Sequence, residues 1–314
     1  MTLIRKEPGP QPLEPHLVWN GAFVTFLHPG YEDPFNRLCT LPAADDGGVH
    51  YGTALTVCGI IANNAFNGYF AKERGADREP REWDSILRGV KFYFFASNNP
   101  DDQYPVVTSF ANWQFPLTLP PEWNALVIPQ ESEQKSCRLS LIHHGVDQAH
   151  IVPQHELTWF IVQMSQFFIG DELAMNNSKN VMPLRSDLHF CFDQKMWCVV
   201  LKEGKLVCQT VRPHGKKAAS QFILLHHNVE MQPLDCKSKE CLFARIAWTI
   251  LPLIGDLCDL RQVLPMKTTA IIENGQVVNA NHKQFKEALK RSGAPMTRTS
   301  RSRSQIGSAK CQVR

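Results

Sequence analysis

The segments that decide how this chain reads are Val146-Asp147-Gln148-Ala149-His150-Ile151-Val152-Pro153, Asn180-Val181-Met182-Pro183-Leu184-Arg185-Ser186-Asp187-Leu188-His189 and Phe192-Asp193. His150 stands at the end of an apolar strand that Pro153 terminates, because proline has no N–H to give to a ladder. Asn180 follows in a polar approach loop. Ser186 reads as the N-cap of a short helix running to about Met196. That helix places His189 and Asp193 at i and i+4, on one face. A strand and a helix packed together would bring these side chains to one place.

Working outward, residues 138–142 read as a strand, His143-His144-Gly145 as a turn and 146–152 as the returning strand. Leu157, Phe160, Ile161, Met164 and Phe168 recur at helical intervals, so a helix is inserted between the hairpin and the His189 helix. Residues 197–201 and 206–211 alternate around Glu203-Gly204 and predict a second hairpin. Residues 222–225 predict a further strand, and 240–260 an apolar closing helix interrupted near Pro252. Upstream, the apolar runs 22–27, 54–62, 90–96 and 104–110 are separated by turn clusters such as His28-Pro29-Gly30 and Asp45-Asp46-Gly47-Gly48, and predict strands. The expected class is α+β. Residues 1–15 form an extended tail, 16–128 a β-rich N-terminal domain, 129–265 a second domain, and 266–314 a basic, disordered tail.

The composition is that of a soluble globular protein, with 43% hydrophobic and 20% charged residues in 314. The apolar runs at 157–170 and 246–255 are too short to span a bilayer, and no apolar core follows the N-terminal charges, so neither a membrane span nor a secretory signal is expected. The ten cysteines are scattered without a C-x-x-C pair, which argues against a zinc ribbon and for reduced thiols in an intracellular protein, cytoplasmic or nuclear. The net charge of +3 conceals a +8 segment at 283–314, which leaves the other residues at −5. Such a segment is either a solvated tail or a phosphate-gripping one.

The chemistry these side chains suit is phosphodiester hydrolysis. It needs a base that deprotonates water and an electrophile that stabilises the leaving oxygen. Histidine side chains ordinarily titrate close to neutral pH and serve the first need, and a divalent cation serves the second. His150 is the candidate base, His189 and Asp193 the cation-facing pair, Asn180 the residue that holds the loop against the strand, and Arg185 the phosphate partner. Taken singly each has a blander reading, as a surface histidine, a solvated helix pair or a turn former.

As a set, the residues quoted above together with Cys137-Arg138-Leu139-Ser140 and His155-Glu156-Leu157-Thr158-Trp159-Phe160 resemble the HNH endonuclease domain in its fungal-type version. The resemblance covers 137–205, with looser similarity at His28-Pro29-Gly30-Tyr31 and Cys241-Leu242-Phe243-Ala244-Arg245. It implies a ββα-metal fold with a helical insertion and a closing helix. It also implies His150 as general base, Asn180 as the loop-ordering residue, and His189 and Asp193 as metal ligands. The chain departs from many active members at Ala149, where those carry Asp or His as a ligand on the strand. Asp147 and His155 lie nearby, but their spacing assigns neither to the site. With two protein ligands, a weakly held Mg²⁺ is the expected cofactor, with Mn²⁺, Ni²⁺ or Zn²⁺ as alternatives. The expected partner is nucleic acid, DNA favoured, with no membrane; oligomeric state is not legible. A metal-dependent endonuclease stands against a catalytically silent HNH-fold module that binds nucleic acid or protein.

Overall fold

A computed structural model describes residues 19, 21–74, 77–79, 82–96, 103–129, 135–168, 174–212, 216–254, 270–273 and 276–279. Helices and several small sheets are mixed along the chain, an α+β arrangement. By packing it divides into residues 1–263 and 264–314.

The first unit opens with a four-stranded sheet. Strands β1 (Phe23–Leu27), β2 (Arg37–Pro42), β4 (Tyr69–Ala71) and β6 (Lys91–Phe95) lie in the order β2-β1-β6-β4. β1 pairs antiparallel with β2 and parallel with β6. Two short strands, β3 (Val49–His50) and β5 (Ile86–Leu87), form a separate antiparallel pair.

The run at 54–62, expected as a strand, is instead helix α1 (Tyr51–Ile61). Ten of its eleven residues are buried, so no apolar stripe marks a helical period and the run reads equally as a buried strand. His50 caps it by accepting from the Thr53 N–H, worth about 1 kcal/mol. Burial of Val57, Ile60 and Ile61, at roughly 1.5–3 kcal/mol each, outweighs the cap. The helix is therefore held by packing. Residues 104–110 form no strand either. Pro105 lacks the N–H a ladder needs, and the segment is held by single bonds, Val107 N–H to Ile61 O at 2.8 Å and Tyr104 Oη–H to Phe94 O at 2.9 Å. Helix α2 (Pro121–Ala125) follows.

The expected hairpin of 138–142 with 146–152 is not formed. Strand β7 (Val146–His150) pairs antiparallel with β8 (Val181–Arg185), from Val146↔Arg185 to His150↔Val181. Residues 138–142 form a turn, with Cys137 N–H bonded to Ile142 O and Leu141 at φ 62°, which breaks any extended run. Pro183 hid β8 in the sequence; it accepts from Arg138 N–H at 2.9 Å. Between the two strands lies α3 (Leu157–Met164). Helix α4 (Ser186–Asp193) starts directly after β8, and its N-cap is Arg185 rather than Ser186, whose hydroxyl donates to Gly145 O.

Strands β9 (Trp197–Lys202) and β10 (Lys205–Thr210) form the expected hairpin in full register. The strand predicted at 222–225 lies within helix α5 (Lys216–His226), because so short an apolar run carries no decisive period. The closing helix is α6 (Lys239–Ile250), capped by Ser238 accepting from Cys241 N–H. One cluster of buried side chains runs from Val24 to Ile254 and includes residues on both sides of the 128/129 boundary predicted from sequence. No helix among the described residues is long and apolar enough to cross a membrane.

Within the second unit, β11 (Ala270–Glu273) and β12 (Gln276–Asn279) form an antiparallel hairpin inside the stretch expected as a tail. The rest of that stretch lies outside the described residues, as does the 1–15 tail.

Candidate active site

The site is built on β7, β8 and α4. Strand and helix share Arg185 as end and cap, so α4 leaves the ladder without a connecting loop. Trp197 Nε1–H bonds Leu188 O and holds α4 against β9. Strand alternation puts Asp147 and Ala149 on one face of β7 and Gln148 and His150 on the other. Ala149 is fully buried beside its cross-strand partner Met182 and offers no donor atom.

Asn180, also fully buried, clamps the approach loop. Its Oδ1 accepts from Val152 N–H at 2.8 Å, and its Nδ2 donates to Val152 O at 3.1 Å and Met175 O at 2.9 Å. Its backbone oxygen accepts from Ile151 N–H at 2.7 Å, so the residues after His150 are tied twice. His150 is half-buried, and its Nε2–H donates to Asn176 Oδ1 at 3.0 Å. Gln154 Nε2–H donates to the same oxygen.

On α4, His189 Nε2 lies 3.2 Å from Asp193 Oδ2, and its other ring nitrogen, Nδ1, lies 3.7 Å from Asp147 Oδ2. Arg185 forks onto Asp187, Nε to Oδ1 at 2.6 Å and Nη2 to Oδ2 at 2.7 Å. This bond raises the Arg185 pKa and lowers that of Asp187. The guanidinium expected at a phosphate is thus already engaged by a neighbouring carboxylate. His155 lies apart from the pair, 3.6 Å from Glu156 and beside the Trp248 ring.

Two residues outside the predicted set complete the arrangement. Asn176 holds the His150 ring. Arg245, on α6, is 1% exposed and reaches both halves of the site. Its Nη1 donates to Ile151 O at 3.1 Å and His150 O at 3.4 Å, its Nη2 donates to Phe192 O, and Nη2 lies 3.5 Å from Asp193 Oδ1. The guanidinium stacks on Phe192 and Trp248. Burial pushes its pKa down to about 9, while the charge of Asp193 acts the other way. Its sequence signal is a cation in the apolar interior of the closing helix, a residue type seldom buried without partners. Asn176 carried no such signal, since loop asparagines are common turn formers.

Residues 132–200 match the family model described as HNH endonuclease, roughly a fifth of the chain. This segment belongs to the HNH endonuclease family. A search of curated proteins found no match to the chain, and neither did a search of solved structures. The matched span contains β7, β8, α4 and all five residues singled out from the sequence: His150, Asn180, Arg185, His189 and Asp193.

HNH domains are generally metal-dependent, so the donor set of this one bears on its chemistry. Among the described residues, no three His, Cys, Asp or Glu side chains group to hold a metal ion. What the HNH domain presents is a pair, one imidazole nitrogen and one carboxylate oxygen on one helix face. That fits a hydrated divalent cation that keeps most of its waters, and it does not fit a closed structural zinc site.

Proposed function

We propose that this protein is a metal-dependent endonuclease that hydrolyses phosphodiester bonds in nucleic acid, DNA being the favoured substrate. The observation that carries the reading is the His189–Asp193 pair at 3.2 Å, one helix turn apart beside the strand that ends in His150. A divalent cation held by that pair would supply Lewis-acid stabilisation of the leaving oxygen; Mg²⁺ is the first choice, with Mn²⁺, Ni²⁺ or Zn²⁺ as alternatives. His150 acts as general base. Its Nε2–H is given to Asn176 Oδ1, so Nδ1 carries the lone pair that takes a proton from water. Asn180 keeps the loop after His150 in place, and Arg185 turns from Asp187 to a substrate phosphate, which presents the same paired oxygens. No disulfide links the eight described cysteines, which supports an intracellular location, nuclear or cytoplasmic.

A second reading, a catalytically silent HNH module, is favoured by one observation: Ala149 stands where a strand ligand would complete the cation's coordination. Plasmid nicking with Mg²⁺, Mn²⁺, Ni²⁺ or Zn²⁺ separates the two, comparing wild type with His150→Ala and His189→Ala. The enzyme reading expects metal-stimulated nicking lost in both variants. Equal nicking in all three proteins, or none with any metal, overturns it.

A further inference from the structure

His189 faces a carboxylate at each ring nitrogen, Asp193 at Nε2 and Asp147 at Nδ1. The two nitrogens of an imidazole point in diverging directions, so one ring cannot bind a single cation through both. The two carboxylates therefore have different tasks. Asp193 is one helix turn from His189 and shares the open side of the ring. Asp147 comes from another element, strand β7, on the face that also carries Ala149. A carboxylate behind a ligating histidine accepts the N–H of the far nitrogen, fixes the tautomer and leaves the near nitrogen with its lone pair.

Asp193 is held in the same way from behind. Its Oδ1 lies 3.5 Å from Arg245 while Oδ2 faces His189. The guanidinium that grips it has little freedom, since it is bonded to the carbonyls of His150, Ile151 and Phe192 and lies between two rings.

We propose that Asp147 and Arg245 are positioning residues: Asp147, 3.7 Å from Nδ1 of His189, would close to accept its N–H when a cation is bound, and Arg245 anchors Oδ1 of Asp193, so that Nε2 and Oδ2 are aimed together at one cation. This rests on the cation-binding part of the proposed function. The fold thus answers the missing ligand at Ala149 by orienting the two that remain. Arg245 also ties this orientation to the strand carrying His150, because the same guanidinium holds the His150 carbonyl.

The test uses the full chain and two readouts other than cleavage. Nitrogen-15 NMR of labelled histidine reports the His189 tautomer, and titration with Mn²⁺ alone reports the affinity of the pair. Wild type is expected to bind Mn²⁺, with binding lost in His189→Ala, and to show the Nδ1–H form when loaded with diamagnetic Mg²⁺, the state in which the tautomers of the variants are compared. Asp147→Ala should mix the tautomers and weaken Mn²⁺ roughly tenfold to a hundredfold. Asp147→Asn, whose side-chain oxygen still accepts Nδ1–H, should restore the tautomer. Arg245→Lys keeps the charge but loses the fork, and should weaken Mn²⁺ by a similar factor with the His189 tautomer unchanged. An Asp147→Ala protein with wild-type tautomer and affinity overturns the role of Asp147. Wild-type affinity in a folded Arg245→Lys protein overturns that of Arg245, and a wild type that binds no Mn²⁺ overturns both. A wild type that binds Mn²⁺ with these variant effects but cuts nothing leaves this inference standing and removes the nuclease reading.

Discussion

Lys202 Nζ lies 2.5 Å from Asp45 Oδ1, an ion pair between residues 157 positions apart and both nearly inaccessible to water. The same Asp45 oxygen accepts from His227 Nε2–H at 3.1 Å and Asn228 Nδ2–H at 2.9 Å, while Oδ2 accepts from His50 N–H at 3.0 Å. One carboxylate thus joins the start of α1 to the β9–β10 hairpin and the turn after α5. Burial raises the Asp45 pKa, but the charge of Lys202 and the bonds from His227 and Lys202 overcome it and hold the group far below the usual carboxylate range.

Breaking this pair on one side leaves a buried charge without its partner. Asp45→Ala is expected to lower stability by about 3–5 kcal/mol, read as a lower midpoint of urea unfolding. Adding Lys202→Met to Asp45→Ala should restore part of that loss, because it removes the orphaned ammonium. A single-variant loss below about 1 kcal/mol would show the pair to be dispensable.

The same cluster makes stability acid-sensitive. Burial lowers the pKa of His227, with Asp45 opposing and Lys202 assisting; burial and Lys202 lower that of His50, with Asp84 opposing. In each ring one nitrogen accepts a backbone N–H, from Thr210 for His227 and from Thr53 for His50, which requires the neutral form. Below about pH 6.5, the ordinary histidine pKa, the unfolded chain takes up protons that the folded chain refuses, so stability falls as the pH drops. The depressed Asp45 contributes stability above 3.8 that is lost further into acid. Unfolding midpoints from pH 8 to 4 should decline, and His227→Gln should flatten the decline between pH 7 and 5. An unchanged slope in that variant would contradict this assignment.

Asn180→Ala removes the partners of the Val152 N–H, the Val152 carbonyl and the Met175 carbonyl at once. Each orphaned buried group costs about 1–3 kcal/mol, so a loss of at least about 2 kcal/mol is expected in denaturant unfolding. Asn180→Asp sets a buried carboxylate oxygen against the Val152 and Met175 carbonyls and should be no more stable than Ala at neutral pH.

Asn176 is exposed and holds the His150 ring through one oxygen. Asn176→Ala should leave the unfolding midpoint within about 0.5 kcal/mol. On the proposal that His150 is the base of a nuclease, nicking should slow roughly tenfold, since a base held off its geometry loses most of its efficiency. Asn176→Asp keeps an acceptor and should recover the rate. Loss of fold rather than of rate in Asn176→Ala would count against the orienting role.

The parts legible in the sequence are those set by neighbours along the chain. The β9–β10 hairpin follows from alternation around Glu203-Gly204, α3 from apolar spacing, and the meeting of His189 with Asp193 from i, i+4 geometry. The misread parts share a cause. Residues 54–62 and 222–225 are apolar runs without a decisive period, and both are helical in the fold. Residues 138–142 are the apolar run nearest β7 in sequence, yet β8 supplies its partner strand.

By itself, the sequence therefore determined the α+β class, the family of residues 132–200 and the helix face that carries His189 and Asp193. Local backbone preference and short-range spacing suffice for these. Only the tertiary structure decided that β7 pairs with β8, that Asp187 occupies Arg185, and that Asp147 approaches His189, Asn176 bonds His150 and Arg245 reaches Asp193. Those relations join residues distant in the chain. They are selected by which buried polar groups find partners when the core closes, and no local pattern encodes that choice.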